Sequence, residues 1–285
     1  MAYGIAAYAL WGLFPLFWPL LEPAGALEVL AHRVLWSLLV VAALLALGVA
    51  SVRGLRRGQV VRLAIAAVLL AVNWGTYIYG VNSGQVVETS LGYFINPLVT
   101  VALGVVVLGE RLRLLQQVAI GVASIAVVVL TVEAGHPPLI ALVLAFSFGT
   151  YGLLKKQAGV GAVASLAVET TVLAPVALGY VLVLAAAGEA TFASHGAGHA
   201  LLLASAGLVT TLPLLAFGAA ATRIPLTILG VLQYIAPTLQ LLCGLLVTHE
   251  AFGAPQAVGF GLVWVALVLF TSDLVRSHRA VLVAV

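Results

Sequence analysis

A stripe of polar residues crosses an otherwise apolar stretch, residues 86–107, that is long enough to span a membrane. Thr89, Tyr93, Asn96 and Thr100 are spaced by 4, 3 and 4 residues, so they share one face of a helix. An unpaired polar group in hydrocarbon costs several kcal/mol, so such a stripe marks a cavity or a packed interface. The chemistry available to these amide and hydroxyl groups is hydrogen bonding to a solute or to a neighbouring helix.

The same pattern occurs a second time. A shift of 140 residues aligns identical residues, namely Ile95 with Ile235, Pro97 with Pro237, Gly104 with Gly244 and Glu110 with Glu250. Matches of proline, glycine and glutamate in one register indicate an internal duplication. Gln233 and Gln240 then take the positions of Tyr93 and Thr100. Two such helices facing each other predict a polar slot near the membrane midplane.

Other polar and aromatic residues inside apolar segments extend this slot into a predicted substrate cavity. Its members are Trp11, Asn73, Trp74, Tyr77, Tyr93, Asn96, Tyr151, Gln233 and Tyr234. Pro15, Pro97 and Pro237 are predicted to break helices beside it, since each proline frees a carbonyl one turn earlier. Such a pocket suits amphipathic organic solutes rather than ions. The alternative interpretation is hydrogen bonding that only joins helices.

Composition decides the class of protein. The chain has 285 residues, of which 64% are hydrophobic and 7% charged, with a mean hydropathy of +1.22. Soluble domains carry far more charge. Ten predicted spans lie at 3–20, 29–50, 61–81, 86–107, 114–132, 138–155, 163–187, 199–220, 224–247 and 254–274. The prediction is an all-α polytopic membrane protein with ten transmembrane helices.

The basic residues predict the orientation of these spans. Eleven of the 12 Lys and Arg residues fall on one side, the exception being Arg33, so both termini are predicted to be cytoplasmic in the cytoplasmic membrane. Five spans per half is an odd number, so the second half would insert inverted relative to the first. The predicted halves are residues 1–133 and 134–285, two inverted five-helix repeats.

Four charges lie inside spans or at their edges, and they predict two gates. Arg33 and Glu88 are expected to pair near the outer face, and Glu169 and Arg223 near the inner face. Pairing is expected because a lone charge at this depth costs at least about 2.5–3.5 kcal/mol. A carboxylate whose partner leaves would bind a proton, which would couple transport to a proton gradient. Static pairs that only fix the fold are the alternative.

The sequence does not indicate an enzyme. It contains no H-E-x-x-H, G-x-S-x-G or Walker A motif, and we expect no metal site, cofactor or nucleic-acid partner. Glu110 is expected to be a turn residue near Arg111 or Arg113, where substitution by glutamine would have little effect. The loop 188–199 is expected to be loose, and Cys243 to be a packed apolar thiol.

Long stretches of this sequence resemble one family. They include ALWGLFPLFW (9–18), EVLAHRVLWS (28–37), NWGTYIYGVN (73–82), ETSLGYFINPL (88–98), LGERLR (108–113), LAFSFGTYGLLKK (144–156) and WVALVLF (264–270). In these stretches the chain resembles the EamA family of the drug/metabolite transporter superfamily, specifically its RarD branch. The resemblance implies ten helices in two inverted repeats, a central cavity and a permease role.

The function expected from these observations is secondary-active transport of a small organic metabolite or drug-like solute by alternating access. The expected partners are that solute, the lipid bilayer, a coupling proton and a second copy of the chain, packed through spans five and ten, whose small residues permit close contact. The alternative is a lipid-handling or regulatory membrane protein that uses the slot for an acyl or prenyl chain. That alternative predicts an aliphatic site open between helices.

Overall fold

The computed structural model describes residues 1–82, 86–134 and 139–247, with short helical pieces at 257–258, 261–262, 264–266, 268–269 and 272–273. The side chain of Glu88, the loop that contains Glu250 and about half of the tenth predicted span lie outside the described residues. The helices are α1 Ala2–Gly12, α2 Ala26–Ala46, α3 Arg57–Asn82, α4 Val86–Leu108, α5 Leu114–Ala134, α6 Leu139–Ala158, α7 Ala162–Ala186, α8 Gly196–Ala221, α9 Leu226–Leu232 and α10 Ile235–Leu246.

The predicted all-α membrane class is confirmed. All the secondary structure of the described residues is helical. Five helices are long and apolar enough to cross a membrane: α2, residues Arg57–Gly80 of α3, α6, α7 and α8. The helices begin and end within a few residues of the predicted spans, apart from the early end of α1 and the division of the ninth span into α9 and α10.

Two of the three prolines that were predicted to break helices lie next to breaks in the helical hydrogen bonding. Helix α1 ends at Gly12, and Pro15 lies in the first of two short 3₁₀ segments, Phe14–Leu16 and Trp18–Leu21. Pro237 lies in the first turn of α10, and the Gln233 carbonyl accepts a bond from the Ala236 amide at 3.2 Å instead of an α-helical bond. The interruption expected at Pro97 is absent, because α4 continues through it.

The helices pack in a regular set of pairs. The most extensive contacts join α4 to α6, α3 to α6, α2 to α7 and α8, α1 to α8, and α4 to α9. Five aromatic rings form the centre of the core, with centroids 5.4–6.2 Å apart: Tyr8, Trp11, Phe148, Tyr151 and Phe217. This ring cluster joins α1, α6 and α8.

Glycines allow several of these helices to approach closely. A Cβ atom on Gly12 would lie 2.6 Å from Cβ of Leu239, and one on Gly149 would lie 3.0 Å from Cγ1 of Val99. Hence α1 lies against α10 in much the way that α6 lies against α4. Helix α5 packs on α4, and the Gln116 amide at its start donates to the Asp273 carboxylate at 3.0 Å, which places the last helical piece beside it.

The closest of these approaches predicts a sharp mutational effect. A Cβ on Gly207 of α8 would lie 2.5 Å from the Trp36 carbonyl carbon and 2.8 Å from the Ser37 amide nitrogen. Backbone atoms cannot rotate aside, so Gly207→Ala should separate α2 from α8 and destabilise the protein by about 1–3 kcal/mol. Thermal unfolding of purified protein measures this loss. Gly179→Ala on α7 meets nothing within 4 Å, and it should be neutral or stabilising.

Candidate functional site

A buried polar chain connects α4 to the break in the ninth span. The Gln233 side-chain nitrogen donates to the Thr100 hydroxyl at 3.0 Å, and that hydroxyl donates to the Asn96 carbonyl at 3.0 Å. The Tyr8 hydroxyl of α1 lies next to the Gln233 side chain, although the two do not meet hydrogen-bond geometry. The polar stripe of α4 therefore meets its counterpart at Gln233, and Tyr8 places α1 beside both.

Three atoms of this polar chain have no hydrogen-bond partner among the described residues. They are the Tyr8 hydroxyl, Asn96 Oδ1 and Gln233 Oε1, and each is buried. A buried polar atom left unpaired costs about 1–3 kcal/mol, so proteins rarely leave several together. Water or a polar solute would satisfy all three. These three atoms are therefore the candidate contacts for a bound molecule.

Other predicted cavity residues are engaged in helix packing. The Asn73 amide nitrogen donates to the Leu144 carbonyl at 2.8 Å and to the Ser147 hydroxyl at 3.0 Å, joining α3 to α6. The Tyr234 hydroxyl donates to the Phe94 carbonyl at 3.3 Å. Trp11 belongs to the central ring cluster. These contacts agree with the helix-joining alternative for Asn73 and Tyr234.

The remaining predicted aromatic residues lie towards Arg33. The rings of Tyr77 and Tyr93 are 5.9 Å apart between centroids. The Arg33 guanidinium carbon lies 4.4 Å from the Trp74 ring centroid and 4.8 Å from that of Trp18. A third ring, Phe14, lies at 5.8 Å. Arg33 Nε donates to the Thr210 hydroxyl of α8 at 2.8 Å. The 3₁₀ segments after α1 thus close over a cation on α2.

Glu169 is paired with Lys155 in place of the predicted partner Arg223. Its carboxylate accepts from Lys155 Nζ and from the Ser165 hydroxyl, each at 2.7 Å, and from the Tyr151 hydroxyl at 3.1 Å. Both charged side chains are only 1% exposed. Arg223 is exposed, donates to the Ala219 carbonyl at 2.9 Å and lies over the Tyr3 ring. Tyr151, which was predicted to line the cavity, therefore donates its hydroxyl to this buried ion pair.

The sequence reasoning missed Lys155 because it placed this residue at the solvated end of the sixth span. Helix α6 continues to Ala158, which brings Lys155 to the face that packs towards α7 and α8. The spacing of Tyr151 and Lys155 on α6, and of Ser165 and Glu169 on α7, is four residues in each case. Each pair therefore shares a helix face, a signal that could have identified the cluster.

One narrow cavity lies among α2, α3, α7 and α8, with Arg33 and Glu169 both in its lining. Trp74, Leu173, Thr210 and Leu214 are among the other residues of its wall. It has room for about one water molecule. The charge of Glu169 is balanced by Lys155, whereas no described carboxylate pairs with Arg33.

Glu110 does not have the surface role expected from the sequence. Its two carboxylate oxygens accept from the amides of Leu226 at 2.7 Å and Thr227 at 2.8 Å, the first residues of α9. A carboxylate at a helix N-terminus satisfies amides without intrahelical partners and interacts favourably with the helix dipole. The expected proximity to Arg111 or Arg113 is replaced by a bond across 116 residues of sequence.

The loop between α7 and α8 is also more firmly held than expected. The buried Glu28 carboxylate of α2 accepts from the Thr191 amide at 2.7 Å and from its hydroxyl at 3.0 Å. His199 contacts the same hydroxyl at 2.9 Å. Across the described ranges, no group of three or more His, Cys, Asp or Glu side chains is arranged to hold a metal ion.

Comparison with known proteins extends over almost the whole chain. Residues 1–132 match the EamA-like transporter family. Protein RarD of Streptomyces exfoliatus is 57% identical over 283 residues, 98% of this chain and 90% of the relative. The uncharacterized transporter YojE of Bacillus subtilis is 44% identical, covering 98% and 95%, and protein RarD of Escherichia coli K12 is 40% identical, covering 96% and 94%.

A solved crystal structure has the same fold. It superimposes with a TM-score of 0.72 at 19% sequence identity, and the match covers 94% of this chain and 95% of that one. At this level of identity the similarity concerns the fold alone.

Proposed function

Because this chain belongs to the RarD branch of the EamA-like transporter family, we propose that it is a secondary-active permease for a small organic solute. The observation that carries the proposal is the group of unpaired polar atoms on Tyr8, Asn96 and Gln233 at the broken ninth span. Broken helices with polar groups near mid-membrane form the substrate sites of many secondary transporters. The solute would supply the missing hydrogen-bond partners.

The proposed inverted repeat is supported by the packing of the helices. The proposed duplication relates α1 to α6, α2 to α7, α3 to α8 and α4 to α9–α10. Under this relation the α3–α6 contact corresponds to the α8–α1 contact, and the α4–α6 contact corresponds to the α10–α1 contact. All four contacts are present. Single residues follow the same relation. A shift of 137 residues relates Gly12 to Gly149, a shift of 140 relates Val99 to Leu239, and both glycines contact these partners.

Alternating access would expose this site to each side in turn. We propose that the inner gate is the Glu169–Lys155 ion pair, which opens and re-forms during this cycle, because Glu169 contacts Lys155 and not Arg223. The outer pair Arg33–Glu88, which would form only while no solute occupies the site, and the coupling proton stay proposals. So do the cytoplasmic termini, the cytoplasmic membrane as location, and a homodimer through α5 and the tenth span.

The lipid-handling alternative has less support. The apolar cavity among α4, α5, α9 and the described part of the tenth span is lined by Leu98, Val101, Ile120, Val231 and neighbouring residues. It is aliphatic, as a lipid site would be, but the buried polar atoms of Tyr8, Asn96 and Gln233 favour a polar solute.

Cysteine labelling tests whether the polar chain borders a water-filled pathway. Asn96→Cys and Gln233→Cys, each in a Cys243→Ala background, should react with a membrane-impermeant maleimide from at least one side of the membrane. Both positions are buried in this conformation, at 8% and 5% exposure, so reaction requires the opening that alternating access predicts. The extent of labelling in inside-out and right-side-out vesicles is the measurement.

The control for lipid exposure is Val176→Cys, since Val176 lies on α7 with 75% of its surface exposed. A thiol in hydrocarbon does not form the reactive thiolate, so this variant should remain unlabelled. Full protection of Asn96→Cys and Gln233→Cys from both sides would show that no solute pathway passes between α4 and α9.

A further inference from the structure

We propose that Arg33 binds the carboxylate of the transported solute, and that the substrates are therefore small organic anions with an apolar body. The inference rests on the proposed permease function and names its substrate class. It begins from the charge of Arg33, which lies about two turns inside α2. A cation at such depth costs roughly 2.5–3.5 kcal/mol or more unless a partner compensates it.

The described residues compensate this cation only in part. Its neighbours are three aromatic rings and the Thr210 hydroxyl. Aromatic rings attract a guanidinium through their quadrupole, by about 0.5–2 kcal/mol each, but they accept no strong hydrogen bond from it. A guanidinium carries five N–H donors, and only that of Nε has an acceptor among the residues that the structure describes.

The position of this cation suits an anchor for a solute. Arg33 lines the cavity among α2, α3, α7 and α8, and the Trp74 ring that it contacts on α3 belongs to the predicted substrate cavity. The rings of Trp18 and Trp74 hold the guanidinium in place, so little conformational freedom is lost when it binds. A planar fork of donors matches a carboxylate in a two-bond arrangement that lysine cannot form.

Glu169, the other charged residue at this cavity, does not neutralise Arg33. Glu169 is neutralised by Lys155, which contacts it at 2.7 Å, so it leaves no negative charge free to balance Arg33. The aliphatic wall formed by Val34, Leu70 and Leu173 offers a surface for the apolar part of a solute. A carboxylate at Arg33 would supply the missing counter-charge, and a neutral or cationic solute would not.

Binding of benzoate, benzamide and benzylamine to the purified protein tests the inference. The three probes have similar size and differ in charge, and thermal shift at increasing probe concentration gives their relative affinities. Benzoate should stabilise the wild type at concentrations at least 10-fold lower than benzamide, and benzylamine should give no shift. Arg33→Gln should lose at least 10-fold in benzoate affinity with no change for benzamide. Arg57→Gln removes an exposed charge and should bind like the wild type.

Two further variants keep the inference testable if Arg33→Gln does not fold. Arg33→Lys retains the charge without the planar fork and should weaken benzoate binding several-fold. Thr210→Val removes the one described acceptor and should leave the preference for benzoate over benzamide. Equal affinity for the two probes in the wild type, or benzoate binding that appears only in Glu88→Gln, would overturn the inference, the latter because Glu88 would then be the counter-charge.

These outcomes are distinct from failure of the proposed function. Arg33-dependent binding of benzoate, without uptake into proteoliposomes under any ion gradient, would contradict the permease and leave the anion site standing. Maleimide access at Asn96→Cys and Gln233→Cys, with no preference for benzoate, would leave the permease standing without the anion site.

Discussion

Glu169→Gln should lower the stability of the protein by about 3–5 kcal/mol, because it leaves a buried lysine without its counter-charge. That lysine, Lys155, is only 2% exposed, so it cannot reach water without a rearrangement of the helices around it. Glutamine keeps one acceptor oxygen for the Ser165 hydroxyl, and its amide nitrogen can donate to the Tyr151 hydroxyl, so most of the loss reports the missing charge. Thermal unfolding, monitored by tryptophan fluorescence, measures it.

The double variant Lys155→Met, Glu169→Gln tests whether the stability lost in Glu169→Gln comes from the unpaired charge or from altered packing. Removing both charges should restore most of the stability lost in Glu169→Gln, because a buried pair replaced by apolar and neutral groups is often close to neutral. Glu189→Gln removes an exposed carboxylate and serves as the matched control. If the double variant is no more stable than Glu169→Gln alone, the two charges do not stabilise one another.

Glu110→Ala should destabilise the protein by about 3 kcal/mol or more, and Glu110→Gln by about half as much. Hydrogen bonds to a charged group are worth about 1.5–3 kcal/mol each, and Glu110 accepts two from the start of α9. Glutamine keeps one acceptor oxygen and loses the charge that the helix N-terminus favours. Transport should fall in both variants, because α9 leads directly to Gln233.

Arg111→Gln is the control for this prediction. Arg111 is exposed, and no carboxylate among the described residues pairs with it. Its replacement should therefore change stability by less than about 0.5 kcal/mol. The loss in Glu110→Gln should also persist at high salt, since a carboxylate bound to backbone amides is poorly screened. A loss that disappears at high salt, or an equal loss in Arg111→Gln, would point instead to a surface ion pair.

Features that depend on local periodicity were predictable from the sequence. Hydropathy identified the helices, and the spacing of Asn96 and Thr100 placed them on the face that meets Gln233. Partners far apart in sequence were not predictable in this way. Glu110 accepts from amides 116 residues later, and nothing in LGER indicates which helix end lies beside it. Lys155 was missed because a lysine near a helix end is usually solvated.

The small residues between helices bear on how the two halves recognise each other during assembly. Gly4 of α1 faces Leu232 of α9, while Gly92 of α4 faces Ala141 of α6. Under the proposed duplication, Gly4 corresponds to Ala141 and Gly92 to Leu232. Two copies of the first half would place glycine against glycine and leave a gap.

Two copies of the second half would instead place Ala141 against Leu232, where a Cβ at the position of Gly4 would lie 2.8 Å from a leucine methyl. Each half therefore fits the other better than it fits itself. If the halves are synthesised as separate chains, they should associate as unlike pairs. Under the proposed duplication, this exchange of size between the two contacts would make the two halves complementary and not interchangeable.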